Sequence, residues 1–184
     1  PNAQAPTVLV WDNASTDGSL DQLTPSPGIE IHRSETNVGF AAGINALAAR
    51  VCSEYMLILN PDGLIQPRAI TALIEELDAH PAAGLASGRV FGLDGHEQRG
   101  SRRQLPNPQR VLQEVLGRGG GIDLMDTPPP SVSQSVEAVS GACMMLRTQV
   151  FQSLGGLDSA YPMHFEDLDL MARIREAGGE IRLV

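Results

Sequence analysis

The chain is predicted to be α/β, with a mostly parallel central sheet and helices on both faces. Three observations predict it. Short, continuously apolar runs such as Thr7–Trp11 and Tyr55–Leu59 have the pattern of strands buried on both sides. Helical segments alternate with them, the clearest carrying Ile70, Leu73, Ile74 and Leu77 as an i, i+3, i+4, i+7 stripe. The 184 residues, 42% hydrophobic, suffice for one domain with a sizeable core and argue against disorder.

The elements follow in order. Thr7–Trp11 is the first strand and runs into Asp12–Ser19, dense in turn and cap residues. A short helix to about Leu23 is broken by Pro25, Pro27 and Gly28, and Ile29–His32 alternates as a second strand. Asn37-Val38-Gly39 leads into an Ala-rich helix over Phe40–Val51, and Tyr55–Leu59 is the third strand. Pro67, well placed in a first turn, opens the next helix, and Leu85–Phe91 is a fourth strand. Gly92–Gln104 is polar, Pro108–Leu116 helical, and a mobile loop is expected over about residues 117–135, flanked by Gly117–Gly121 and Pro128–Pro130. Val136–Leu146 returns to strand, Thr148–Leu154 and Glu166–Ala177 are helices, Gly178-Gly179 ends the second, and Ile181–Val184 is the last strand.

Composition removes several function classes. The formal charge of −9 opposes non-specific nucleic-acid binding, so no nucleic-acid partner is expected. All 13 basic residues are Arg, which excludes a lysine Schiff base and a phosphate-loop lysine. Cys52 and Cys143 have no metal-ligand spacing and read as buried small hydrophobes, weakly favouring a reducing compartment. No apolar run is long enough to span a bilayer.

Ligands of α/β sheets bind beyond the carboxyl ends of strands, and two polar clusters fall there. Asn60-Pro61-Asp62 can offer one or two oxygens to Mg²⁺ or Mn²⁺ on a diphosphate, or can be a plain turn. Asp12-Asn13 can meet a base or ribose, or form an Asx turn. The small residues from Gly39 to Asn45 let a helix start approach a phosphate, or another helix. Glu166-Asp167 can supply a general base, or cap a helix dipole. Arg99, Arg102 and Arg103 can meet an anionic acceptor or a diphosphate, but read first as a solvated charged face, and Asp169 reads as an exposed helix residue.

Together the stretches VLVWDNASTDGS (Val8–Ser19), NVGFAAGIN (Asn37–Asn45), LILNPD (Leu57–Asp62), VSGACMML (Val139–Leu146) and Phe151–Ala177, with its GGLD and HFEDLDL, resemble the family 2 inverting glycosyltransferases, closest to their rhamnosyltransferase-like branch. The resemblance implies a single GT-A domain over 1–184, with a nucleotide-sugar part (1–91) and an acceptor-side part (92–184). It implies a donor such as dTDP-rhamnose or a UDP-sugar, a saccharide or glycolipid hydroxyl as acceptor, and Mg²⁺ or Mn²⁺ as cofactor. Asp167 matches the catalytic base, with Glu166 supporting it or touching the acceptor. Asp12, Asn13, Gly39, Asn45 and Asn60 match the nucleotide-sugar side, Asp62 the metal ligand, and Ser140 and Gly141 the acceptor side. The family's first strand is apparently absent ahead of Pro1, and its later acceptor and membrane-associating part falls beyond Val184, so truncation at both ends is expected. A non-catalytic sugar-nucleotide-binding domain is the alternative. The implied location is cytoplasmic, with peripheral contact at the inner face of the cell membrane through segments outside the chain. Asn60 stands where the metal motif usually has Asp, and Gly63 where an aliphatic residue is usual.

Overall fold

The computed structural model describes residues 6–23, 26–117, 122–124, 127, 128, 130–161 and 164–184. β1 (Val8–Asp12) pairs in parallel with β2 (Ile29–Arg33) as a two-stranded sheet, the connection passing through a 3-10 turn at Ser19–Gln22. α1 (Phe40–Ala48) packs on β1, and Gly43 is what permits it, because a Cβ there would lie 2.6 Å from the Trp11 ring.

The main sheet holds β3 (Tyr55–Leu59), β4 (Ala83–Ser87), β6 (Gln134–Val136), β8 (Cys143–Arg147) and β9 (Glu180–Leu183), in the order β3-β8-β4-β9-β6. β5 (Arg102–Arg103) and β7 (Ala138–Val139) form a small antiparallel ribbon. α2 (Pro67–Ala79) joins β3 to β4, α3 (Pro108–Val115) follows β5, and α4 (Thr148–Ser153) and α5 (Glu166–Glu176) lie between β8 and β9.

The α/β class and the helices on both faces stand. Leu73 and Leu77 of α2 pack on one face with Ala83, Ala86 and Met145. On the other face Ala41 and Ala48 of α1, Phe151 of α4 and Leu168, Met171 and Ile174 of α5 pack with Met56, Ile58, Leu85, Met144 and Leu146. One core thus draws on residues before and after position 91.

Strand direction needs correction. β3, β4 and β9 point the same way, but β8 runs against them between β3 and β4, so only β4–β9 is a parallel hydrogen-bonded pair in this sheet; β3–β8, β4–β8 and β6–β9 are antiparallel. The crossover through α2 skips one strand position, and the later β8 fills it. The fourth strand is also displaced, to Ala83–Ser87 rather than Leu85–Phe91. Its small residues let helices close on it: a Cβ on Gly84 would sit 3.0 Å from Ile174 and 3.1 Å from Val150. Phe91 is left half exposed in an isolated bridge to Glu97.

The run Val136–Leu146 is not one strand. It divides into the end of β6, then β7, a turn at Ser140–Ala142, and β8. Within the loop expected over 117–135, Gln104 N–H donates to the Ile122 carbonyl and Leu124 N–H to the Arg102 carbonyl, so 122–124 lie along β5, and β6 begins at Gln134. Residues 118–121, 125, 126 and 129 of that loop fall outside the described residues. Cys52 is exposed and Cys143 half-buried, where burial pushes the Cys143 thiol up; neither is the fully buried hydrophobe expected.

Candidate active site

The Ser140–Ala142 turn is where the strand ends converge. The antiparallel register places Leu59, last of β3, opposite Cys143, first of β8, and one residue on Asn60 N–H donates to the Ala142 carbonyl at 2.9 Å. The Asn60-Pro61-Asp62 turn, closed by Gly63 N–H to the Asn60 carbonyl at 2.9 Å, is thereby joined to the turn holding Ser140 and Gly141. Ser140 N–H donates to the Ser101 carbonyl at 3.2 Å, linking the turn to the approach to β5.

The start of α5 meets the other side of that turn. Gly141 N–H donates to Asp167 Oδ2 at 3.0 Å, Arg103 Nη1 donates to the same oxygen at 3.2 Å, and Leu168 N–H donates to Oδ1 at 2.8 Å. Asp167 is only 7% exposed, so these bonds are what make a buried carboxylate tolerable there. Glycine at 141 is a steric necessity, since a Cβ would lie 2.8 Å from Asp167 Oδ2. The chain enters α5 through His164 and Phe165, both left-handed at φ 68° and 72°, a costly pair of conformations for residues with side chains. Glu166, next to Asp167, has an oxygen shielded from solvent, Oε2, without a hydrogen-bond partner among the described residues. Such a group costs about 1–3 kcal/mol or more, and so marks an unfilled bond beside the carboxylate.

The other predicted residues divide between open and occupied groups. Asp62 is exposed and accepts no hydrogen bond from the described residues. No cluster of three or more His, Cys, Asp or Glu fit to hold a metal occurs among the described residues. A single open carboxylate fits Mg²⁺ or Mn²⁺ bound mainly through diphosphate oxygens and water, the usual manner of these ions. Asp12 is buried at the end of β1 and its Oδ1 accepts the N–H of Ser15, three residues on, at 3.1 Å, which leaves Oδ2 for other contacts. Asn13 ties β1 to the start of α1: its Oδ1 accepts Val38 N–H at 3.1 Å and Trp11 Nε1–H at 3.2 Å, and its Nδ2 donates to the Gly39 carbonyl at 3.4 Å. Asn45 grips Leu157, donating to its carbonyl at 2.7 Å and accepting its N–H at 2.9 Å, so its amide is committed to the GGLD turn.

Arg99 is solvated, its side chain 79% exposed, but Arg102 and Arg103 are not. Arg102 is buried and forks onto Glu97 at 2.8 and 3.3 Å, with further bonds to Thr127; Arg99 pairs with Asp123 at 3.1 Å; Arg103 reaches Asp167. Asp169 is likewise engaged, by Arg173 Nη2 at 2.6 Å; Nη2 also holds the Gly156 carbonyl and Nη1 that of Leu154. The Arg103–Asp167 contact is what sequence reasoning missed. The two residues lie 64 apart, and the one local signal is Gly100 at φ 81°, over which the Arg103 guanidinium lies: a Cβ there would be 2.8 Å from Nη2.

The chain matches the model of the family described as Glycosyl transferase family 2 over residues 3–155. Among curated proteins it is similar to an N-acetylglucosaminyl-diphospho-decaprenol L-rhamnosyltransferase of Mycobacterium tuberculosis, at 28% identity over 94% of this chain and 62% of that protein. The chain therefore spans less than two thirds of the length of that relative. Among solved structures it is similar to GalNAc-T7 with UDP, GalNAc and Mn²⁺ (TM-score 0.68, 13% identity, 96% of this chain and 36% of that one). It is also similar to the mannosyltransferase PcManGT from Pyrobaculum calidifontis in complex with GDP-Man and Mn²⁺ (TM-score 0.62, 17% identity, 96% and 47%). At such identities these likenesses speak of the fold, which is GT-A. With the family model matched over most of its length, the chain belongs to glycosyl transferase family 2.

Proposed function

We propose that this chain carries the catalytic centre of an inverting sugar transfer, from a nucleotide-diphosphate donor to a hydroxyl of a saccharide or lipid-linked acceptor. The observation that carries this reading is Asp167: a nearly buried carboxylate pinned to the turn that also bonds the Asn60–Asp62 segment. Asp167 takes the proton of the acceptor hydroxyl as that oxygen attacks the anomeric carbon, and the bond to the diphosphate breaks with its electron pair leaving on the nucleotide. Glu166 supports the acceptor side, where Ser140 and Gly141 form the floor. Asp62, helped by Asn60, would hold a divalent cation, which supplies charge stabilisation to the departing diphosphate. Asp12 contacts the nucleotide, and Asn13 and Gly39 shape the loop beside it. Asn45 serves the same site indirectly, by holding Leu157.

The donor is read as dTDP-rhamnose, with a UDP-sugar as the other candidate. The rhamnosyltransferase relative supports the first, and its named lipid-linked acceptor supports a polyprenyl diphosphate saccharide in cell-surface polysaccharide synthesis. Mn²⁺ accompanies the nucleotide or nucleotide sugar in both structural neighbours, which supports the cation. The working location is the cytoplasmic face of the membrane; no helix among the described residues is long and apolar enough to cross it.

Calorimetry on the whole protein with each donor, with and without Mn²⁺, tests the donor site, and Asp167→Asn tests the chemistry. Transfer is expected to fall by roughly 10²–10⁴-fold, the range for losing a general base, with donor affinity kept. Unchanged turnover in that variant would place the base elsewhere.

A further inference from the structure

We propose that Arg103 is the positioning residue of the base, fixing which oxygen of Asp167 receives the acceptor's proton. This rests on the transfer reading above. Arg103 ends the two-residue strand β5, held opposite Ala138 of β7, so its backbone is fixed by the same ribbon that leads into the Ser140–Ala142 turn. Its guanidinium lies over Gly100, and its Nη1 is the one side-chain donor on Asp167 among the described residues. The Arg103 side chain is 29% exposed and that of Asp167 10%, so the pair sits at the rim of the site, shielded enough for the contact to matter.

A carboxylate oxygen has two acceptor directions. Those of Oδ2 are both taken, by Gly141 N–H and Arg103 Nη1–H. Among the described residues Oδ1 accepts only Leu168 N–H, which leaves its second direction open to the acceptor. The hydroxyl proton of the acceptor therefore goes to Oδ1. The new bond forms from the acceptor oxygen to the anomeric carbon, the anomeric carbon–oxygen bond to the diphosphate breaks, and Asp167 ends as the neutral acid. Arg103 and Gly141 form a two-point clamp on Oδ2 that stops the carboxylate from rotating Oδ1 away from the hydroxyl. Arg103 acts through Asp167.

The test compares Arg103→Gln and Arg103→Lys in the whole protein, under conditions where the wild type transfers sugar. Arg103→Gln is expected to lower kcat about 10- to 100-fold, the cost of a loosely held catalytic group, with donor KM within about twofold of wild type. Arg103→Lys, which keeps the charge, is expected to recover part of that loss. Ethylguanidinium added to Arg103→Ala is expected to raise its kcat, a rescue that a purely structural side chain would not give. Thermal melts of the three variants show whether folding is kept; the rescue readout carries the decision for any variant that melts early. Wild-type kcat in Arg103→Gln would overturn the proposal, as would a rise in KM alone, which would make Arg103 a binding group. A wild type without transfer would count against the proposed function instead; the two failures are distinct.

Discussion

At the scale of single residues, the site depends on a glycine as much as on its acid. Gly141 offers its N–H to Asp167 and has no room for a side chain: an added Cβ would meet Oδ2 at 2.8 Å and the Asp167 Cβ at 2.9 Å. Both atoms belong to a side chain whose carboxylate accepts three hydrogen bonds, so relief must come from moving Asp167 or the turn. Gly141→Ala is therefore expected to cost about 1–3 kcal/mol of stability, as overpacking does, and to lower transfer about 10²-fold, as a displaced base does. Urea unfolding and steady-state kinetics check the two numbers separately, and a variant with wild-type kcat would show that the base is not where Gly141 holds it. Asp167 and Gly141 could each be named from sequence, because both sit in recognisable motifs. Their contact could not, and Arg103 looked like one of three solvated arginines. Charge pattern along a chain says nothing of a carboxylate 64 residues away that a two-residue strand brings within 3.2 Å.

Elements show the same division between local and long-range information. α2 and α5 follow local signals, namely Pro67 with its apolar stripe and the acids at 166, 167 and 169, and both begin where these signals say. The strands were harder. β4 is built from Ala83, Gly84 and Ala86, weakly apolar residues on which helices pack, and the break at Ser140–Ala142 sits inside an apolar run, where the chain turns from β7 into β8. Asn45 is the element-scale case. From sequence its place among small residues at a helix start suggested a ligand contact, yet its amide joins α1 to the GGLD turn with the geometry of a backbone pair. Asn45→Ala leaves the Leu157 N–H and carbonyl without partners, which is expected to cost about 2 kcal/mol. Asn45→Asp is expected to cost at least as much, because it turns the donor into an acceptor facing the Leu157 carbonyl. Denaturant midpoints rank the three proteins. Donor affinity measured on the folded fraction should stay at wild type, and a specific loss of donor binding would return Asn45 to the nucleotide.

Over the whole molecule, two buried-edge carboxylates tie distant parts of the chain together and set its response to acid. Glu76 of α2 accepts from Arg182 of β9 at 2.7 Å and from Ser133, just before β6, at 2.7 Å. Burial works against its ionisation, but the hydrogen bonds from Ser133 and Arg182 outweigh it, so its carboxyl titrates below the ordinary 4.5. Glu137, between β6 and β7, is held below 4.5 first by the Arg110 fork of α3 at 2.6 and 2.9 Å, with burial opposing and the Leu105 N–H adding to it. Both groups have folded values depressed below their unfolded ones. Their contribution is therefore fully present above about pH 4.5 and is lost as pH falls through the folded values. An opposing effect comes from the net charge of −9, since protonating surface carboxylates relieves their repulsion. Salt screens that effect over about 8–10 Å, whereas the shielded Glu76–Arg182 pair is screened far less, so the local loss decides the sign. Urea unfolding from pH 7 to pH 3 at moderate salt is expected to show stability falling below pH 4.5. Glu76→Gln should be less stable at pH 7, with Arg182 left buried and keeping, among the described residues, only its longer, 3.5 Å pair with Glu180, and should show a shallower fall towards pH 3. A variant whose acid limb parallels the wild type would assign the acid sensitivity to other carboxylates.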